Sequence, residues 1–203
     1  MAYVLFNHGW TNHRPNGHWQ RLTATALRAR GHQVFYPQYP NPDSPSFEQW
    51  SALLAAELEL IGQARALDPN PGELVVLAHS LGCVTWLKTA VEGLLPAAAK
   101  PDRLLLVAPA ANEKLDPIAD FKVELGQPGA AAAVLASAGQ ICLVGSDKDV
   151  WTPQGVQHHF GNALGLEAVI IDGGKHLALG DGWGEWAGVI NWVEDASADL
   201  TVR

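Results

Sequence analysis

Glu73-Leu74-Val75-Val76-Leu77-Ala78-His79-Ser80-Leu81-Gly82-Cys83-Val84-Thr85 is the stretch whose reading decides the fold. Leu74 to Leu77 is a short apolar run rich in β-branched residues, the composition of a strand buried on both faces of a parallel sheet. The run breaks at Ala78 to Gly82, and Cys83 to Glu92 suits a helix. A chain that turns straight from strand into helix needs small residues on both sides of the corner. Ala78 and Gly82 supply them, which puts Ser80 at the apex. A small-x-Ser-x-Gly corner holds the hydroxyl above the sheet and aims the N-terminus of the following helix at it. Taken alone, the same residues also fit an ordinary strand–turn–helix with Ser80 as its N-cap. The rest of the chain has to decide.

Length and composition narrow the choice. A chain of 203 residues with 48% hydrophobic and 17% charged residues fits one compact domain spanning 1–203. The net charge of −8 arises from 13 basic against 21 acidic residues, and the basic ones are scattered from Arg14 to Arg203. That argues against nucleic acid or an anionic membrane as a partner. No signal-peptide pattern opens the sequence, and no apolar stretch approaches the roughly 20 residues that span a bilayer. Cys83 and Cys142 read as free, buried thiols of a cytoplasmic protein. No metal site is expected: His158 and His159 are adjacent and would point about 100° apart on a helix. No cofactor is implied.

Along the chain, short apolar strands alternate with helices. The strands are Tyr3–Phe6, Gln33–Tyr36, the Leu74–Leu77 run, Arg103–Val107, Ile141–Val144 and Ala168–Ile171. Between them, Trp19, Leu22, Ala26 and Leu27 recur at helical spacing before Gly31. Ser46-Phe47-Glu48-Gln49 reads as a capping box opening a helix whose face is Trp50, Leu53, Leu54, Leu58 and Ile61. A last helix carries Trp186, Ile190 and Val193. Ala111 to Gly139 is the least legible part, because Asp116-Pro117 and Gln127-Pro128-Gly129 interrupt an alanine-rich helical composition. The pattern indicates an α/β fold: a doubly wound, mostly parallel sheet of about six strands with helices on both faces. Such sheets gather functional groups at the carboxyl ends of their strands. His8, Ser80, Asp149 and His176 all follow expected strand ends.

A serine hydroxyl attacks at neutral pH only when a base takes its proton, and histidine is the natural base. A carboxylate must then fix the imidazole tautomer. Ser80, Asp149 and His176 occur in the order nucleophile, acid, base, each after a later strand. Here the chain resembles the α/β-hydrolase superfamily, and within it the small serine hydrolases similar to retinoblastoma-binding protein nine. The resemblance rests on His8-Gly9-Trp10, His18-Trp19 through Leu22, the Pro-rich loop running to Trp50, Ala78 to Gly82, Ser146 to Pro153, and His176 into Trp186. It implies a cap-less serine hydrolase with Ser80, Asp149 and His176 as its triad.

Asp147 competes with Asp149. Acids of the superfamily typically stand four residues before a proline, which favours Asp149 ahead of Pro153 and leaves Asp147 as a turn-former. Lys175 replaces the glycine that often precedes the base. The backbone N–H groups of Leu81 and Trp10 are the expected oxyanion donors. His8 and His79 read as structural histidines that bond loop backbone. Of the 8 tryptophans, Trp19, Trp50 and Trp186 fit helix cores. Trp10 and Trp151 stand beside the reactive residues and either wall a substrate pocket or simply pack. Ala111 to Gly139 is too short for a multi-helix lid. The expected activity is cleavage of a small carboxylic ester, thioester or amide through an acyl-enzyme at Ser80, with a preference for short acyl chains. The competing readings are an inactive binding protein on the same scaffold, and a lyase or acyltransferase.

Overall fold

The computed structural model describes residues 1–203 apart from the side chain of Ala98. Its strands are β1 (Tyr3–Asn7), β2 (Gln33–Phe35), β3 (Leu74–His79), β4 (Arg103–Val107), β5 (Gln140–Ser146) and β6 (Ala168–Ile171). They form one sheet in the order β2-β1-β3-β4-β5-β6, and every neighbouring pair is parallel. The near-continuous apolar runs follow from the pleat, which sends alternate side chains to opposite faces. Leu5, Val76, Leu104 and Leu106 enter one core, while Val4, Phe6, Val75, Leu77 and Leu105 enter the other.

The helices are α1 (Trp19–Ala29), α2 (Phe47–Leu67), α3 (Leu81–Val91), α4 (Ala130–Ala136), α5 (Asn162–Leu164) and α6 (Ala187–Glu194), with a single π-turn, Gln157–Gly161, leading into α5. Residues of α1 and α6 pack into one core, and those of α2, α3 and α4 into the other. From β1 the chain therefore steps outward to β2 through α1, then returns across the other face through α2 to β3. The carboxyl ends of β1 and β3 flank the resulting crevice, where an open α/β sheet places its ligand site.

β3 continues through His79, because Ala78 and His79 pair with Leu106 and Val107 of β4. α1 buries Trp19, Gln20, Thr23, Ala24 and Leu27, whereas Leu22 and Ala26 are only half-buried. Its face is rotated because Gln20 is held inside by donating to the carbonyls of Asn7 at 3.0 Å and Leu77 at 3.4 Å. Ser46 is the N-cap of α2 but makes no side-chain cap bond. The Phe47 N–H is instead taken by Asp120 Oδ2 at 2.8 Å. Trp186 precedes α6 rather than lying on its face, and Val189, Trp192 and Val193 bury the helix. Cys142 is partly exposed, and both cysteines are free.

Ala111 to Gly139 holds two short 3-10 turns, Asn112–Lys114 and Asp116–Phe121, and then α4. Leu115, Ile118, Phe121, Val123 and Leu125 are buried in the core beneath α2 and α3. Phe121 meets Phe47 and Trp50 edge-on at 5.8 and 5.6 Å. The segment is a plug in that core.

Candidate active site

Ser80 occupies the corner between β3 and α3, where its N–H bonds the Val107 carbonyl at 2.9 Å. Its backbone has φ 53° and ψ −119°, a conformation that a side chain strains to adopt. Glycine explains why the corner can be this tight. A Cβ on Gly82 would stand 2.5 Å from the Asn7 carbonyl oxygen and 2.7 Å from that of His8. A Cβ on Gly9 would stand 3.0 Å from the Ser80 Cβ, so the loop after β1 lies directly against the serine. Leu81 opens α3 and its N–H has no intrahelical acceptor. The N–H groups of Leu81 and Trp10 have no backbone or side-chain acceptor among the described residues.

His176 comes from the loop after β6. Its Nε2 lies 2.8 Å from Ser80 Oγ, and its Nδ1 lies 2.9 and 3.0 Å from the two Asp149 oxygens. A carboxylate only accepts, so Nδ1 carries the proton and Nε2 accepts from the serine hydroxyl. Asp149, in the loop after β5, is 4% exposed, and its Oδ1 also accepts the Trp151 N–H at 2.8 Å. Asp147 takes no part in this chain of bonds. Its Oδ1 accepts the Gly173 N–H at 2.7 Å, which ties the β5 loop to the β6 loop and holds its carboxyl below the usual range.

The backbone around His176 is pinned. Lys175 and Leu177 both have positive φ, at 52° and 51°, where a side chain is strained. Asp181 Oδ2 accepts the His176 N–H at 3.1 Å, and His79 Nε2–H donates to the His176 carbonyl at 3.0 Å. No motif marks Asp181 in the sequence. His79 bonds loop backbone as expected, and so does His8: Nδ1–H donates to the Gly9 carbonyl at 2.9 Å, while Nε2 accepts the Tyr39 N–H at 2.9 Å. Burial, the leading cause in each case, lowers His8 to about 4 and drives His79 well below its ordinary value.

A cavity of about 580 Å³ opens in front of Ser80. Trp10 and Trp151 wall it together, their rings edge-on at 6.1 Å and that of Trp151 5.6 Å from His176. Leu115, Leu179, Pro15 and His18 line it further, the polar Thr11, Asn12 and His13 stand on the β1 loop side, and no Lys, Arg, Asp or Glu is among the described lining residues. Trp19, Trp50 and Trp186 are fully buried in the cores. Among the described residues, no three His, Cys, Asp or Glu side chains gather in a metal-binding group. None of their helices is long and apolar enough to cross a membrane.

The sequence model of a family described as "Serine hydrolase" matches residues 4–195. Among curated proteins no sequence match is found. Among solved structures, the ydeN gene product of B. subtilis superposes with a TM-score of 0.74 at 20% identity, covering 96% of this chain and 97% of that one. A putative YdeN-like hydrolase from Pectobacterium atrosepticum gives 0.67 at 14% identity, over 100% and 94% of the two chains. Esterase B from Lactobacillus rhamnosis, in a structure concerned with a tributyrin phosphonate, gives 0.58 at 18% identity over 87% and 68%. At these identities the likeness shows a shared fold.

Proposed function

The chain belongs to the serine hydrolase family, and from that premise we propose that it cleaves small, uncharged carboxylic esters through an acyl-enzyme on Ser80. The observation that carries this reading is the unbroken Ser80–His176–Asp149 chain, with 2.8 Å from Oγ to Nε2 and 2.9 Å from Nδ1 to the carboxylate. As Ser80 Oγ attacks the ester carbonyl, His176 Nε2 takes its proton and Asp149 stabilises the imidazolium. His176 then protonates the departing alkoxide. It next takes a proton from water, whose oxygen attacks the acyl-enzyme, and returns the proton to Ser80. The Leu81 and Trp10 N–H groups, free of acceptors among the described residues, are the proposed donors to the developing oxyanion.

Substrate class follows from the cavity. Its apolar tryptophan wall and the absence of Lys, Arg, Asp and Glu from the described lining suit an uncharged substrate, and both halves of the ester must share about 580 Å³. Because Ala111 to Gly139 plugs the core, only Ala110 and Leu115 of that neighbourhood's described residues reach the cavity. Short acyl chains are therefore favoured, and binding gains little from added methylenes at about 0.8 kcal/mol apiece once the walls end. Two free cysteines suit a cytoplasmic setting.

A fluorophosphonate should add once to the native protein and not to Ser80→Ala, whose turnover should fall on the order of 10⁶-fold. Labelling that persists in Ser80→Ala would sink the nucleophile. Across p-nitrophenyl esters from acetate to palmitate, kcat/KM should peak at short chains without a jump at the solubility limit. A steady climb to palmitate would overturn the chain-length reading.

A further inference from the structure

His18 is the N-cap of α1, and its Nδ1 accepts the Gln20 N–H at 3.2 Å. A ring nitrogen that accepts carries no proton, so the neutral ring holds its proton on Nε2. The ring is fixed in place, stacked on Trp19 at 5.8 Å and edge-on to His79 at 5.3 Å. His79 lies a further 5.3 Å from His176, so His18 stands one imidazole away from the reactive chain. It lines the cavity in front of Ser80 and is only 4% exposed, yet its Nε2–H has no acceptor among the described residues. Turning the ring to exchange its nitrogens would give up the cap bond.

We propose that His18 Nε2–H is a specificity-determining donor that recognises an uncharged oxygen acceptor on the substrate, an ether, hydroxyl or second carbonyl close to the scissile ester. The inference rests on the esterase reading above and deepens it. An N–H that loses water to an apolar substrate is left unpaired, whereas an acceptor there replaces the lost bond. A site built around such a donor rejects the analogue that lacks the acceptor. Burial, with help from the His8 and His176 rings, holds His18 down at about 4, so the donor is neutral near pH 7. The described lining holds no Lys or Arg, and its His13 already faces the Asp43 carboxylate at 3.0 Å, so a carboxylate or phosphate on the substrate meets no unpaired fixed cation.

His18→Asn separates recognition from capping, because asparagine caps a helix as well as any residue but cannot reach as far. The probes are matched esters in which oxygen replaces a methylene. p-Nitrophenyl methoxyacetate against butyrate tests the acyl side, and 2-methoxyethyl against butyl butyrate tests the alcohol side. Comparing the kcat/KM ratio of each pair between wild type and variant cancels the esters' intrinsic reactivities and any general change in activity. One pair should lose roughly tenfold of its preference for the oxygen-bearing member, the size of a neutral hydrogen bond. Ratios unmoved in both pairs would overturn the role of His18.

Should His18→Asn fail to fold, the wild-type protein answers. The ¹⁵N-resolved signal of His18 Nε2–H should shift further with a methoxy-bearing phosphonate on Ser80 than with its methylene counterpart, and equal shifts overturn the proposal. Absence of fluorophosphonate labelling at Ser80 in the wild type would end the esterase reading and this inference with it. Labelling with unmoved ratios ends this inference alone.

Discussion

At the carboxyl ends of β1, β3, β5 and β6 the chain buries polar side chains in a strained backbone, whereas between Ala111 and Gly139 it buries apolar ones in a relaxed backbone. Ser80, Lys175 and Leu177 of the first region have positive φ, and among the described residues of the second only Gly129 does, where glycine meets no strain. His8, His79 and Asp149 sit inside the first region with their hydrogen bonds directed at particular atoms. Phe121 and Ile118 in the second have only packing to satisfy. The contrast separates what sets reactivity from what keeps the sheet covered. A change in the first region should cost rate, and a change in the second should cost stability.

The sharpest test lies within the first region, between two aspartates two residues apart. Asp149→Asn leaves His176 Nδ1–H without its carboxylate and favours the wrong tautomer, so kcat should fall by about 10⁴. Asp147→Asn keeps an oxygen for the Gly173 N–H, and its turnover should stay within roughly tenfold of wild type, as for a loop residue. Reversed behaviour of the two variants would hand the acid's role to Asp147.

Phe121→Ala tests the second region. Deleting a buried ring wedged between Phe47 and Trp50 should destabilise the protein by about 3–5 kcal/mol in urea unfolding. Because Phe121 is not among the cavity's lining residues, kcat/KM of the folded fraction should change little. A large loss of rate with little loss of stability would erase the division between the regions.

The same division explains what the sequence could disclose. Strands whose side chains alternate between two apolar cores leave continuous apolar runs, and these were readable from Tyr3 to Ile171. The elbow was readable because backbone crowding at Gly82 and Gly9 allows almost no other residue. Ser80 and His176 follow strand ends that the topology brings together, and a proline spacing singled out Asp149. Side chains that act on another residue's backbone left no such mark. Asp181 holds the His176 N–H from five residues away, and Asp120 caps α2 across 73 residues. The buried face of α1 departs from its apolar spacing because Gln20, polar in composition, is spent inside on two carbonyls. Ala111 to Gly139 stayed opaque because its buried residues, three apart and then two apart, follow short turns rather than either regular period.

Acid should open the first region before the second. Burial holds His8 and His18 down at about 4 in the folded protein, against an ordinary 6.5. Between those values the unfolded chain binds protons that the folded chain refuses, so stability is full above about 6.5 and falls as the pH drops toward 4. Since each pKa unit is worth about 1.4 kcal/mol, each ring should withdraw on the order of 3 kcal/mol over that window. Burial of His79 acts in the same direction. Protonating His18 on Nδ1 would also break its bond to the Gln20 N–H, so its penalty is tied to the cap. Urea unfolding measured from pH 7.5 down to 4 should therefore show a steep loss in wild type. His18→Asn, which caps α1 without a titrating ring, should show a shallower one. Phe121→Ala, lower throughout, should run parallel to wild type because it removes no proton site. If His18→Asn also ran parallel, His18 would take up its proton as readily in the folded chain as in the unfolded one, and the penalty tied to its burial and its cap bond would be absent.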